Sequence, residues 1–510
     1  MKSKRTIEER GRSLFATLTE TFPLCCGSDE FPSFPHVPPD PGRSSFWDDF
    51  SHERVEDVLK YLRGVEDVLE REGEGDIPEE ERVDREVLTG LIRNLRFFLE
   101  HLRPHRRQPT FHLTLLTTGI LEVLGRGGGE ERHIPQVGEF LERARRALDD
   151  VSPSYKNSGI SMAEDIFRWV SGEDIPAGIK ASVLPPLEEF RDFLSRVPTG
   201  EGPPLNPELY PRLIQECLGE EISPHEVQEV MREEMEETAG IMRRTSGGGA
   251  EGISTCLPEE GVVSLFRREV NSLREHCLEK GLFPEGVPTE TPLQVVMVPP
   301  YLMGIRAGSA YAFSPQGDKA GGIFYIHPGD SGGGGNTPFI SEYSMLSAHE
   351  TYPGHHLLDV SRWSNPGLIR RHVESPLFYE GWACFAENIL RETGYYANPT
   401  EQFLLARRRY RRAVRGLVDV RVNTGMWTVD EASEFLARSG FPPESARSIV
   451  EKYLLRPGSQ IIYTLGFRFF RDLFRKYGEG RPEVFARLVL SAGEIPFSCL
   501  EEVLARRENN

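Results

Sequence analysis

The sequence predicts a mainly α-helical protein with one small β-sheet, an α+β fold in which helices dominate. In the first half, apolar residues recur at three- and four-residue steps, as in 53–70. Between 293 and 327 the pattern changes to short β-branched or aromatic runs bounded by glycine and proline, which predicts a few strands. Helical patterns return near residue 338 and continue to the end of the chain.

Each element is supported by spacing or by end signals. Residues 53–70 and 83–102 both place apolar side chains on one helical face. Further along, Ser223 and Glu226 predict a capping box around Pro224, and arginines followed by glycines predict where that helix ends. The predicted strands lie within 293–299, 309–314 and 321–327.

The domain organisation follows from length and from the change of pattern. A chain of 510 residues is too long for one small core. We therefore predict a helical N-terminal region over 1–285 and a second region over 286–510. The second region contains the small sheet, at about 293–327, and helices at about 338–395 that carry an unusual group of histidines.

Charge and composition limit the function classes. A net charge of −19 argues against nucleic-acid binding and against anionic membranes. No apolar run approaches the ~18 residues of a membrane-spanning helix, and the first residues lack the apolar core of a secretory signal. Seven cysteines without paired spacing do not predict a disulfide framework, so we expect a cytoplasmic protein.

Residues 348–358 read AHETYPGHHLL and come close to the zinc-binding pattern His-Glu-x-x-His. That pattern places two imidazoles one helical turn apart, with a glutamate that acts on a metal-bound water. His349 and Glu350 fit, but Pro353 occupies the second histidine position and two histidines follow. A metal site and a capped helix end with structural histidines both stay open here.

A regular helix would carry His355 away from His349, whereas the ligand nitrogens of one zinc ion lie close together. Pro353 interrupts the helical hydrogen bonds, and Gly354 is free to adopt a positive φ. We therefore predict a two-residue excursion that returns His355 to the place of the missing histidine. His356 would then lie near the metal or the substrate, and by spacing alone it stays a rival ligand.

A third ligand is expected from ESPLFYEGWACFAENIL. Ser375 as the N-cap and Pro376 at the first position predict a helix with Glu380 and Glu387 on one face. Gly381 within this helix predicts close packing against another backbone.

The string GDSGGGG at 329–335 matches the surroundings of a trypsin-like nucleophile only superficially. The chain offers no disulfide-linked β-barrel for such a serine, and the string lacks the Gly-Lys-Ser/Thr ending of a phosphate loop. We interpret it as a flexible loop near the cleft.

These motifs together resemble a known family. HETYPGHHLL followed by FYEGWACFAE resembles the signature of domain of unknown function 885, with further matches at 299–313, 418–432 and 456–466. The second motif is also similar to the Asn-Glu-Gly-Phe-Ala helix of one-zinc gluzincin aminopeptidases, where the glutamate is the third zinc ligand. The resemblance implies Glu380 in this role, a gluzincin-like zinc-peptidase scaffold, and metallopeptidase-like activity.

The chain departs from the family pattern at two places. Ser459 stands between Gly458 and Gln460 where many members have glutamine directly after the glycine. Asn423 stands four residues after Asp419 where many members have histidine. Any role that those family side chains have in binding substrate or in stabilising the transition state is therefore not assigned to this chain.

The hypothesis is a zinc-dependent hydrolase that cleaves peptide bonds with one zinc ion per chain. Zinc lowers the pKa of a bound water towards ~7, Glu350 accepts the proton, and the leaving amine receives it. Tyr463, which the resemblance places near the cleft, or His356 donates a hydrogen bond to the oxyanion. The predicted zinc ligands are His349, His355 and Glu380.

The expected substrates are short peptides, aligned by an edge strand within 309–327. Endopeptidase and exopeptidase activity both stay open, as does the oligomeric state. Two alternatives also stay open: a peptide-binding protein that no longer cleaves, suggested by the Pro-Gly insertion and by Ser459 and Asn423, and a metal-dependent amidohydrolase acting on a non-peptide amide.

Overall fold

The computed structural model describes most of the chain and is mainly helical with a small three-stranded sheet, which confirms the mainly α prediction. Among the described residues, no helix combines the length and apolar character needed to cross a bilayer. The described residues are 6–38, 45–71, 78–126, 130–200, 205–245, 261–299, 302–303, 308–315, 319–327 and 342–508.

The chain divides into two compact units, one from Met1–Asn206 with Pro299–Ile305 and one from Pro207–Val298 with Arg306–Asn510. By this criterion the helices that follow Pro207 belong to the same unit as the sheet. The sequence-based division after residue 285 was drawn from local pattern and stays a prediction.

The first unit is built from helices. One of them, at 52–71, has the apolar face that the sequence predicts, with Val55, Val58, Leu59 and Leu62 buried. The helices of this unit are α1 (Ile7–Thr21), α2 (Pro23–Gly27), α3 (His52–Arg71), α4 (Glu79–Phe97), α5 (Pro104–Arg107), α6 (Pro109–Arg126), α7 (Val137–Ala147), α8 (Pro153–Val170) and α9 (Ala177–Arg196). Shorter turns are a π-helix at Phe98–Leu102 and a 3-10 helix at Glu130–Gln136.

The second unit opens with a 3-10 turn at Pro207–Leu209 and three helices that precede the sheet. These are α10 (Tyr210–Leu218), α11 (Pro224–Thr245) and α12 (Val262–Glu279). The predicted capping box is confirmed, because the Glu226 N–H donates to Ser223 Oγ and the Ser223 N–H donates to Glu226 Oε2.

The remaining helices follow the sheet. They are α13 (Tyr343–Glu350), α14 (His355–Trp363), α15 (Leu368–His372), α16 (Pro376–Glu392), α17 (Pro399–Asn423), α18 (Val429–Arg438), α19 (Pro443–Leu455), α20 (Ile461–Tyr477), α21 (Pro482–Ala492) and α22 (Phe497–Glu508). Ser375 caps α16 and Pro376 is its first residue, as predicted. Residue 338 and the glycine-rich 329–335 lie outside the described residues.

The sheet consists of β1 (Leu293–Met297), β2 (Ala310–Phe313) and β3 (Gly322–Ile326), which confirms the predicted strands. Their order is β1-β3-β2, with β1 parallel and β2 antiparallel to the central β3. Both β1 and β2 are therefore edge strands. The adjoining helices α12 and α13 pack against each other, and α12 also packs on β1.

Helices α16 and α20 approach each other closely at two glycines. A Cβ atom on Gly381 would lie 2.6 Å from the Gly466 Cα, and a Cβ atom on Gly466 would lie 2.4 Å from the Leu377 carbonyl oxygen. The predicted backbone contact of Gly381 is confirmed. Because the obstructing atoms belong to the main chain, a side chain at either position has to separate the helices.

We predict that Gly381→Ala lowers the free energy of unfolding by about 1–3 kcal/mol, the typical cost of overpacking. Gly90→Ala is the matched control, because a Cβ atom there meets nothing within 4 Å. The control should raise the stability by about 0.5–1 kcal/mol through helix propensity. Urea denaturation followed by circular dichroism measures both changes, and equal effects in the two variants would contradict the close-contact interpretation.

Candidate metal centre

The predicted interruption of the histidine motif is present. Helix α13 ends at Glu350 and α14 begins at His355, so the two elements are separate helices. Gly354 has φ −75°, so the expected positive φ was wrong. Glycine is required for a different reason: a Cβ atom on Gly354 would lie 2.0 Å from the carbonyl oxygen of His349.

The turn between the helices is held by hydrogen bonds from both sides. The Gly354 N–H donates to the Ala348 carbonyl at 3.1 Å, which folds the turn back onto α13. From α16, the Trp382 indole Nε1–H donates to the Pro353 carbonyl at 2.9 Å, and Trp382 is fully buried. The Glu-Gly-Trp motif therefore fixes the shape of the Pro-Gly turn.

The turn brings His349 and His355 together with Glu380 of α16. Glu380 Oε2 lies 3.3 Å from His349 Nε2 and 3.5 Å from His355 Nε2. One atom from each side chain lies within 4.8 Å of the others, and we name these residues the His-His-Glu cluster. Two imidazoles and a carboxylate are the donor set of many zinc sites.

The electrostatics of Glu380 also fit a cation. Burial raises the pKa of Glu380, but His349 and His355 outweigh this and hold it below its ordinary range. Glu380 Oε2 is buried, and the imidazole nitrogens at 3.3 and 3.5 Å make no well-formed hydrogen bond to it. A buried carboxylate oxygen without a donor is rare in native proteins, and coordination of a metal ion would satisfy it.

His349 is oriented through its other ring nitrogen. Glu387 Oε1 lies 3.4 Å from His349 Nδ1, and Arg412 and Arg408 of α17 donate to Glu387 at 2.7 and 3.1 Å. Burial raises the pKa of Glu387, but the two arginines hold it well below its ordinary range. Arg412 Nη2 also lies 3.2 Å from His349 Nδ1, so these α17 and Glu387 contacts hold the ring with Nε2 directed towards Glu380.

His355 is held by stacking. Its Nδ1 has no hydrogen-bond partner among the described residues, and its ring stacks on Tyr379 with centroids 4.0 Å apart at 22°. The Tyr379 hydroxyl donates to Asp359 Oδ2 at 3.0 Å. Asp359 is fully buried, so the ring that stacks on His355 is itself anchored by a buried carboxylate.

Glu350 is fixed by the sheet. The main-chain N–H of Tyr311 in β2 donates to Glu350 Oε2 at 2.7 Å, and both residues are buried. The Tyr311 ring lies 6.5 Å from the His355 ring and nearly parallel to it. Strand β2 therefore positions the glutamate that precedes the Pro-Gly turn.

His356 is directed away from the His-His-Glu cluster. Its Nε2 lies 2.8 Å from Thr291 Oγ1 and its Nδ1 lies 3.1 Å from the Tyr311 hydroxyl. Burial lowers the pKa of His356 to about 3, so the ring is neutral near pH 7. The structure thus places His355, and not His356, beside His349, while the predicted oxyanion role of His356 stays a prediction.

Tyr463 of α20 lies beside the cluster. Burial, followed by the charge of Glu380 and a hydrogen bond with it, raises the pKa of Tyr463 well above its ordinary value. The Arg415 guanidinium lies 5.2 Å from the centre of its ring. The phenol is therefore protonated near neutral pH and is available as a donor at this place.

The two departures from the family pattern meet at one buried carboxylate. Asp419 accepts hydrogen bonds from the Gly458 and Gln460 main-chain N–H groups at 3.0 and 2.7 Å, and Asn423 Nδ2 donates to it at 2.8 Å. Burial raises the pKa of Asp419 to about 6 despite these bonds. Asn423 and the loop that contains Ser459 therefore form the support from which α20 begins.

The three residues of the His-His-Glu cluster were predicted from the sequence, but the residues that orient them were not. Glu387 was recognised only as a neighbour of Glu380 on one helical face. Arg412, Tyr311 and Tyr379 carried no signal, because nothing in a single sequence links them to the histidines.

The comparisons with known proteins agree with this fold. The family described as "Bacterial protein of unknown function (DUF885)" matches residues 130–504. The chain belongs to this family. No curated protein matches the chain.

Two solved structures share the fold of this DUF885 protein. A candidate lipoprotein of unknown function from Shewanella oneidensis is 14% identical over 98% of this chain and 100% of its own, with a TM-score of 0.72. A candidate lipoprotein from Colwellia psychrerythraea is 17% identical over 99% of this chain and 100% of its own, with a TM-score of 0.73. At such low identity these similarities show the common fold alone.

We predict that Trp382→Phe costs about 1–2 kcal/mol more in unfolding free energy than Trp363→Phe, because it leaves the buried Pro353 carbonyl without its donor. Trp363 is the control, since it is also buried and packs through ring contacts with Phe313 and His372. Urea denaturation of both variants measures the difference. Equal losses would show that the Trp382 hydrogen bond contributes nothing beyond ring packing.

Proposed function

We propose that this protein is a zinc-dependent hydrolase, a metallopeptidase of gluzincin-like architecture that cleaves short peptides. The observation that carries the proposal is the convergence of His349 Nε2, His355 Nε2 and Glu380 Oε2, with no well-formed hydrogen bond to the buried carboxylate oxygen among the described residues. These three side chains would hold the metal. When bound there, zinc would supply a Lewis acid and lower the pKa of a water molecule.

Glu350 is the proposed general base. Its Oε2 is held by the Tyr311 N–H, which leaves the other carboxylate oxygen to take a proton from the attacking water. As the C–N bond of the amide breaks, Glu350 returns that proton to the leaving amine. The water oxygen bonds to the carbonyl carbon as the amine leaves, so the products are a carboxylic acid and an amine, which exchange a proton near neutral pH, and Glu350 ends in its starting state.

Tyr463 is the proposed hydrogen-bond donor to the oxyanion. Its position beside Glu380 and its raised pKa support this role, because a donor has to stay protonated at the working pH. His356 is the other candidate donor. The contacts with Thr291 and Tyr311 occupy both of its ring nitrogens, so it would have to give up one contact to act.

The proposed substrate lies along β2. This strand is an edge of the sheet and is linked directly to Glu350, so a peptide paired with its outer side would pass the proposed general base. A cytoplasmic location, and the lack of nucleic-acid and membrane partners, stay predictions from charge and cysteine content.

We predict about one zinc ion per chain by elemental analysis, since the His-His-Glu cluster leaves one open position for water. His355→Ala and Glu380→Ala should each remove the zinc. His356→Gln is the control and should keep it, because His356 points to Thr291 and Tyr311. Loss of zinc in His356→Gln, with a folded chain by circular dichroism and zinc retained in His355→Ala, would reverse the ligand assignment.

We predict that Glu350→Gln lowers peptide turnover by about 10²–10⁴-fold while zinc stays bound, because the amide cannot act as a base. Glu392→Gln, at an exposed position of α16, is the matched control and should change neither property. A mixed library of short peptides followed by mass spectrometry measures cleavage. Zinc binding without Glu350-dependent cleavage of any peptide would exclude the peptidase proposal.

A further inference from the structure

A second groove lies on the far edge of the sheet. It has a volume of about 540 Å³, within the range of ligand sites, and is bounded by α12 and by the β1 residues Leu293–Val296. Helix α12 contributes Arg267, Val270, Asn271 and Arg274, whose spacing places them on one face. No member of the His-His-Glu cluster lines this groove.

The backbone of β1 presents hydrogen-bonding groups to the groove. The Gly322 N–H donates to the Pro292 carbonyl, and the Val298 N–H donates to the Ile326 carbonyl. Because alternate residues of a strand face opposite neighbours, even-numbered residues of β1 bond β3 and odd-numbered residues face outward. The main-chain groups of Leu293, Val295 and Met297 therefore point away from the sheet.

The outward-facing carbonyl of Val295 already accepts hydrogen bonds from α12. Arg267 donates through Nε and Nη2 to the Val295 carbonyl at 3.2 and 3.0 Å. The N–H groups of Leu293 and Val295 have no partner in the part of the chain that the structure describes. An edge with open donors beside a cavity is suited to the addition of another strand.

The charge of the groove indicates what that strand should carry. Two arginines line it against one acidic residue, Glu290, in a chain whose net charge is −19. Arg274 pairs with Glu290 at 3.1 Å, but the Glu290 side chain is 86% exposed, so this pair is weak and easily exchanged. The amides of Asn271 and Gln294 add donors and acceptors for a peptide backbone.

We propose that the groove between α12 and β1 binds an extended peptide segment by strand addition to β1, with an aspartate or glutamate of the segment paired to Arg274. The peptide backbone accepts from the Leu293 and Val295 N–H groups. This binding needs no metal and does not rest on the proposed hydrolysis.

The groove is nevertheless in contact with the candidate catalytic region. Thr291 and Tyr352 line it, and both touch His356: Thr291 Oγ1 at 2.8 Å from Nε2, and the Tyr352 ring at a centroid distance of 5.2 Å. A peptide in the groove therefore lies against the residues that hold His356.

The test uses the full-length chain with Glu350→Gln, so that a bound peptide is not consumed. The probes are an array of blocked heptapeptides with alternate positions varied among valine, isoleucine, threonine and tyrosine, and one position occupied by aspartate or, in the matched set, asparagine. We expect aspartate peptides to bind about three- to tenfold more tightly than their asparagine counterparts. Hydrogen exchange at the Leu293 and Val295 amides should slow when they bind.

Two variants separate charge pairing from other causes. Arg274→Gln should remove the preference for aspartate, whereas Arg268→Gln, the same change on the same helix outside the groove, should leave it unchanged. Added Glu380→Ala should also leave binding unchanged, which separates this groove from the proposed metal site. The inference is overturned if no peptide binds, if exchange slows only away from β1, or if the aspartate preference survives Arg274→Gln.

Discussion

The candidate site depends on the close approach of α16 to its neighbours. Three consecutive residues act in different directions: Glu380 faces the histidines, Gly381 lets α20 come within backbone contact, and Trp382 holds the Pro353 carbonyl. A larger residue at Gly381 would move Glu380 and Trp382 together, because both are fixed to the same helical turn. Packing between two helices therefore controls the distance on which the His-His-Glu cluster depends.

The charges around this contact are arranged for orientation more than for stability. Glu387 is buried against Arg408 and Arg412, and such pairs repay little more than their cost of desolvation. Their effect is to hold the His349 ring with Nε2 towards Glu380. The orientation of the His355 ring is fixed in another way, by stacking on Tyr379. One histidine of the cluster is fixed by polar contacts and the other by ring packing.

Local signals in the sequence were enough to predict much of this arrangement. Residues close together in the chain were enough to predict four features: the capping box at Ser223, the three strands, the backbone contact at Gly381 and the interruption at Pro353. All four are confirmed. The supports of the site could not be predicted, since Arg412 and Tyr311 reach the motif from distant elements. The positive φ predicted for Gly354 was wrong. A side chain is excluded at this position by the neighbouring His349 carbonyl, and sequence spacing does not reveal such a contact.

The small sheet connects the candidate metal centre and the groove beside α12 through its topology. With β3 in the centre, β1 and β2 are both edges, and each has a different neighbour. At the β2 edge a main-chain N–H is committed to Glu350, so that edge is tied to the proposed chemistry. At the β1 edge one carbonyl is committed to Arg267, while neighbouring N–H groups face a cavity. A strand order that buries either edge would remove one of these surfaces, so the order β1-β3-β2 is a requirement of both proposals.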